Sequence, residues 1–305
     1  MQTRLISLIV PVRNAAHWIG PLLDQLEALT LPAGWEKEIV VGYQASRDDT
    51  RRVLHSRGCR VVESPTLGPA ANRNAAAAVA RGELLYFIDA DARPARSNLL
   101  EEFIAYAESL KDLGACGGPI LIDPVQTGQP VAQADHAACW YPWPAHRPTG
   151  PSPFQPSASL LIPRAVFEQV GGFDEELRVF EDYECQQRIQ AAGFQLYFLQ
   201  SAPIYHHARE RLTESLRHSW QWGRPMRREF LKTLPEKRFA FQDQPNWFWV
   251  NAPLIFLSRL RIVLSLTWKQ SKGQTLISLP FLALTVGAWA LGAAFGLRDR
   301  VPDPG

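Results

Sequence analysis

Short apolar runs alternating with stretches of helical spacing constrain this chain more than any other feature. Leu5 to Val10 is continuously apolar and rich in β-branched residues, the pattern of a strand buried on both faces of a parallel sheet. Trp18, Leu22, Leu26 and Leu29 then recur at helical intervals, with Asn14 a cap before them. Ile39 to Val41, Arg60 to Val62 and Leu84 to Ile88 read as the next strands, the last ending at Asp89. Between them lie a polar helix over Arg47 to Arg57 and an alanine-rich one over Pro69 to Arg81. Such alternation implies βαβ units, hence an α/β fold with a doubly wound, mostly parallel sheet. Ligands of these sheets sit beyond the carboxyl ends of the strands. That rule selects Pro11 to Asn14, Gly42 to Asp49, Gly68 to Asn74 and Asp89 to Asp91.

Asp123 to Gln155 is rich in proline and aromatics without sustained periodicity, and reads as a long loop or acceptor-facing insertion. Ser157 to Ile162 resumes an apolar strand, and Arg164 to Val170 is a short helix closed by Gly171 and Gly172. A further helix runs from Glu181 to Ala192 and stops at Gly193, and Phe194 to Leu199 is a strand before His206 and His207.

The carboxyl-terminal region differs in kind. Thr275 to Leu297 carries no charge and is long enough, at about 1.5 Å per helical residue, to cross a bilayer. A buried core helix is the alternative. Val250 to Trp268 is equally apolar except for Arg259 and Arg261, each costing roughly 2.5–3.5 kcal/mol at a bilayer centre. It is expected to lie in the interface, its arginines reaching the headgroups and Trp247, Trp249 and Trp268 at its flanks. A two-helix hairpin in the membrane is the other arrangement. The expected organisation is a catalytic domain over residues 1–235 and a membrane-associating region over 236–305.

A length of 305 residues admits this division. Thirty-two basic against 30 acidic residues, a formal charge of +2, argue against a nucleic-acid binder. Arg209, Arg211, Arg217, Arg224, Arg227, Arg228, Lys232, Lys237 and Arg238 do cluster before the tail. They suit an anionic membrane surface or a diphosphate-bearing substrate, or simply a solvated helix face. Cys59, Cys116, Cys139 and Cys185 form no CxxC pair, which points to neither a zinc knuckle nor a disulfide framework and fits a reducing cytosol. The amino-terminal apolar run ends at Pro11, shorter than a secretory signal, and reads as a first strand.

Asp89-Ala90-Asp91 is the most informative short motif. Two carboxylates at the end of a buried strand can hold one hard divalent cation and leave positions for diphosphate oxygens. A turn-capping pair is the plainer reading. Glu181-Asp182-Tyr183-Glu184 opens a helix, where acids either cap the dipole or act as a general base on an acceptor hydroxyl. His206, after a further strand, offers a neutral imidazole to complete a metal's coordination.

The stretches SLIVPVRN (7–14), GPAANRN (68–74), ARGE (80–83), DAD (89–91), GGFDE (171–175), Glu181-Asp182 and WGR (222–224), in this order, resemble the family 2 glycosyltransferases with the GT-A nucleotide-sugar fold. The resemblance covers roughly residues 4 to 225. It implies that Pro11, Val12 and Asn14 border the nucleotide of a nucleotide-sugar donor; Gln44, Ser46, Asp48, Arg73 and Asp89 are expected on the donor side as well. It further implies that Asp89 and Asp91 bind Mg²⁺ or Mn²⁺ and the diphosphate, and that Asp182, with Glu181 beside it, is the catalytic base of an inverting displacement. The implied setting is the cell membrane, the catalytic domain facing the cytoplasm and acting on a lipid-linked or other membrane-associated acceptor. Where the family carries an acidic pair and Gly-Ser after its second strand, this chain has Gly42-Tyr43-Gln44-Ala45-Ser46; Gln44 can both donate to and accept from a base. The Gln-x-x-Arg-Trp motif of processive synthases is absent, so transfer of single sugars is expected. A degenerate sugar-nucleotide-binding scaffold and a nucleotidyltransferase are the competing readings.

Overall fold

The computed structural model describes residues 3–233 and 248–296. Lys237, Arg238 and Trp247, and the expected end of the apolar span at Leu297, lie outside the described residues. Packing divides the chain into two units, one of residues 1–121 and 145–206, the other of 122–144 and 207–305.

In the first unit the expected alternation is realised as β1 (Arg4–Val12), α1 (Ala16–Glu27), β2 (Trp35–Tyr43), α2 (Thr50–Ser56), β3 (Arg60–Glu63), α3 (Pro69–Val79) and β4 (Leu84–Ile88). There follow β5 (Ala92–Pro94), α4 (Leu99–Glu108), β6 (Leu113–Gly117) and β7 (Ile120–Ile122). After residues of the second unit come β8 (Gly150–Pro151), β9 (Ser159–Pro163), α6 (Arg164–Gln169), α7 (Glu181–Ala191), β10 (Gln195–Phe198) and β11 (Ile204–His206), the label α5 belonging to the other unit. The main sheet has the order β3-β2-β1-β4-β9-β6-β10-β8. β3, β2, β1 and β4 are mutually parallel, as are β6 and β10. β9 enters antiparallel between β4 and β6, and β8 closes the far edge antiparallel to β10.

Register carries the functional consequence. Val12 pairs with Tyr43 and Ile9 with Phe87, so the ends of β1, β2 and β4 reach one edge of the sheet. Ser159 of the antiparallel β9 pairs with Ile88, which brings the residues before β9 to the same edge. Every residue of β4 is buried, and Leu85 and Phe87 pack with Phe167 and Phe173 in one core cluster. Burying an apolar side chain of this size contributes about 1.5–3 kcal/mol, so the strand that ends at Asp89 is held firmly. Gly42 allows α3 to lie directly on β2: a Cβ there would sit 1.9 Å from the Asn72 carbonyl oxygen.

The second unit is helical: α5 (Pro130–Trp140), α8 (Leu212–Thr233), α9 (Phe248–Gln270) and α10 (Lys272–Phe295). The long loop expected over Asp123 to Gln155 therefore contains a helix. Pro130 sits in its first turn, where proline is tolerated, and Ala134 and Ala138 pack against Val263, Leu282 and Val286. α8 and α10 cross at glycines; a Cβ on Gly223 would meet the Trp289 carbonyl at 2.2 Å, and one on Gly292 the Trp220 carbonyl at 2.5 Å. Such small residues let helix backbones touch. Among the described residues α10 alone is long and apolar enough to cross a membrane, with a mean hydropathy of 1.8. Leu254, Leu257, Ile262 and Trp268 of α9 and Leu276, Ile277, Leu284 and Leu291 of α10 are exposed.

Candidate active site

Asp89 follows the last residue of β4, and its backbone N–H donates to the Ala158 carbonyl just before β9. Asp91 leads into β5, which pairs antiparallel with β11 and so sets Ala92 opposite His206. One ligand atom from each of Asp89, Asp91 and His206 lies within 4.8 Å of the others, and His206 Nε2 stands 3.4 Å from Asp91 Oδ1. His206 is buried while the two carboxylates remain partly exposed. Two carboxylate oxygens and an imidazole nitrogen, open on one side, fit a divalent cation that keeps positions for outside oxygens.

Arg73, in α3, ties this group to the acids of α7. Its Nη2 donates to Asp89 Oδ1 at 2.7 Å and its Nη1 to Glu181 Oε1 at 2.8 Å, and the side chain is 4 % exposed. Phe173 covers the guanidinium, 5.9 Å from the ring centre. Burial alone would weaken the charged form, but the carboxylates Asp89, Glu181 and Asp182 hold Arg73 more firmly protonated than a free arginine. The neighbours of Arg73 in sequence are equally committed. Asn72 Nδ2 reaches the Val12 carbonyl at the end of β1, and Asn74 brackets Phe173, accepting from its N–H and donating to its carbonyl.

Glu181 and Asp182 open α7, where the helix dipole favours acids. Glu181 is pushed up to about 7, chiefly by burial and next by the charge of Asp182, with Arg73 pulling the other way. Asp182 is also raised, first by burial, against hydrogen bonds from the backbone N–H groups of Ser157 and Tyr183 at 3.0 and 2.8 Å. Both become stronger bases than a solvated carboxylate. Phe180, just before them, has φ of 66°, a left-handed conformation costly for a bulky side chain and typical of sites where the surroundings impose geometry. Neither this conformation nor the part of Ser157 is signalled by the local sequence.

The loops after β1 and β2 are laced together. Asn14, at φ of 50°, donates its N–H to Ser46 Oγ and accepts at Oδ1 from the N–H of Arg47. Asp48 accepts from the Ala16 N–H through Oδ2 and from Thr50 through Oδ1. Gln44 is buried, its N–H bonded to the Val12 carbonyl and its Nε2 to the Thr66 carbonyl. Pro11, Val12, Asn14, Gln44, Ser46 and Asp48 thus gather at the ends of β1 and β2, while Arg73, Asp89, Asp91, Glu181, Asp182 and His206 gather around β4.

The mixed α/β sheet with its flanking helices has the GT-A fold. The chain belongs to Glycosyl transferase family 2, whose model matches residues 7–171. It is 29 % identical over 225 residues to the O-antigen biosynthesis protein RfbC of Myxococcus xanthus, covering 67 % of this chain and 17 % of that protein. It is 27 % identical over 221 residues to the pre-mycofactocin glycosyltransferase of Mycobacterium tuberculosis, covering 69 % and 44 %. The chain therefore spans less than half the length of these relatives. Among solved structures it resembles the mannosyltransferase PcManGT of Pyrobaculum calidifontis, determined with GDP-Man and Mn²⁺, at TM-score 0.61, 19 % identity and 97 % and 87 % coverage. It also resembles S. aureus TarS 1-349 with UDP, at TM-score 0.51, 19 % identity and 96 % and 90 % coverage.

Proposed function

We propose that the chain transfers a single sugar, with inversion, from a nucleotide-sugar donor to a lipid-linked or other membrane-associated acceptor at the cytoplasmic face of the cell membrane. The bridge from Asp89 through Arg73 to Glu181 supports this reading most strongly, since it holds the diphosphate end and the proton-accepting end of a transfer reaction to one scaffold. The catalytic region is residues 1–235, and residues 236–305 associate it with the membrane, in keeping with the apolar α10 and the exposed apolar side chains of α9.

The donor nucleotide lies along Pro11, Val12, Asn14, Gln44, Ser46 and Asp48 in this reading, with its diphosphate toward Asp89 and Asp91. Asp89, Asp91 and His206 would hold Mg²⁺ or Mn²⁺, which when bound supplies positive charge for the leaving diphosphate. PcManGT was determined with Mn²⁺, and this chain shares its fold. Arg73 serves the donor site by fixing the orientation of Asp89. Asp182 takes the proton of the acceptor hydroxyl as that oxygen attacks the anomeric carbon on the face opposite the diphosphate; the backbone N–H groups of Ser157 and Tyr183 aim the carboxylate. Glu181 acts through Arg73, accepting a hydrogen bond from its Nη1.

The test is transfer by the detergent-solubilised full chain over a panel of nucleotide sugars and lipid phosphates with Mn²⁺ or Mg²⁺, the product's anomeric configuration read by NMR. An inverted glycosyl product on a lipid acceptor is expected. Retained configuration, or no transfer from any donor, overturns the proposal.

A further inference from the structure

The helical unit carries a second group of ligating side chains that sugar transfer does not use. Asp135 and Cys139 stand one turn apart on α5 and so share a face. His218 comes to them from α8, and a carboxylate oxygen, the thiol sulfur and a ring nitrogen of the three lie within 4.8 Å of one another.

The carboxylate gives the second, independent observation. Asp135 is 2 % exposed; its Oδ2 accepts from the backbone N–H of Arg209 at 3.1 Å and from Arg209 Nη1 at 3.3 Å. Its Oδ1 is buried and accepts no hydrogen bond from the described residues. A buried carboxylate oxygen without a donor is costly, and a cation relieves that cost. The Arg209 contacts match what surrounds metal-binding carboxylates, an outer partner on one oxygen that orients the other. The nearby Arg259 is otherwise engaged, donating to the Ala138 carbonyl at 2.9 Å with its guanidinium 3.9 Å over the Trp289 ring.

The donor types select the ion. A thiolate and an imidazole favour a borderline-soft metal, whereas the sulfur-free set of Asp89, Asp91 and His206 suits Mg²⁺ or Mn²⁺. We propose that Asp135, Cys139 and His218 bind a zinc ion that fastens α5 to α8. Binding displaces the thiol proton to solvent and forms the sulfur–zinc bond, and the fourth tetrahedral position is left for water.

Cobalt and zinc added to the metal-stripped full chain in detergent test this. Co²⁺ is expected to produce a thiolate-to-cobalt charge-transfer band, lost in Cys139→Ser, and His218→Ala is expected to weaken Zn²⁺ binding at least tenfold. Should the variants fold poorly, the unaltered chain decides by itself. Zinc should slow alkylation of Cys139 at least tenfold, read by peptide mass spectrometry, and leave Cys59 unchanged. No cobalt band in the unaltered chain, a band that survives in well-folded Cys139→Ser, or equal labelling of Cys139 with and without zinc overturns the proposal.

Discussion

Arg73 and Glu181, 108 positions apart in the chain, are joined by a 2.8 Å ion pair inside the first unit, and the same guanidinium holds Asp89 at 2.7 Å. Removing one partner of a buried pair leaves the other charge uncompensated, at a cost of about 3–5 kcal/mol. Arg73→Met is therefore expected to lower stability by about that amount, measured by denaturant unfolding. Arg73→Lys recovers part of it but cannot reach both carboxylates in the planar fork of arginine, so transfer stays impaired. Wild-type stability in Arg73→Met would mean that the bridge does not form.

Asp182→Asn is expected to keep the fold and donor affinity while lowering transfer by about 10²–10⁴-fold, the range associated with loss of a general base. Donor affinity by calorimetry and single-turnover transfer separate the two effects. Unchanged transfer removes Asp182 from the base role.

Glu181 gives stability a pH dependence of definite sign. Its folded value is raised from 4.5 to about 7, so between these limits the folded chain retains a proton that the unfolded chain has released. Stability contributed by this group is complete below about pH 4.5 and falls as pH rises toward 7. Glu181→Gln should flatten that part of the unfolding profile, and an unchanged profile would show that Glu181 does not carry this proton.

Transfer is expected to stop on removal of divalent cations by a chelator and to return with Mn²⁺. His206→Ala should raise the Mn²⁺ concentration needed for half-maximal transfer by roughly 10–100-fold, as for losses of single groups around a metal. Identical Mn²⁺ titrations of the two proteins would show that His206 is not a ligand.

Gly292→Leu tests the helix crossing. A Cβ there already lies 2.5 Å from the Trp220 carbonyl, so a larger side chain must push α8 from α10, at about 1–3 kcal/mol. A lowered unfolding temperature in detergent, with no comparable change in Gly273→Ala, is the expected result, since space is open at Gly273.

The order of strands and helices around β1 to β4 was written in the sequence because apolar periodicity is local, and so was the placing of Asp89, Asp91 and Glu181 at element ends. Helix α5 was not, since prolines and aromatics obscure its pattern and its alanines gain their support from Val263, Leu282 and Val286, far along the chain. The sequence by itself thus determined the repeating βα pattern and which acids stand at strand and helix termini. Only the tertiary structure decided that Arg73 joins two of those acids, that Ser157 holds a third, and that β9 runs antiparallel beside β4. These depend on contacts between residues remote in sequence, which leave no period or spacing to read.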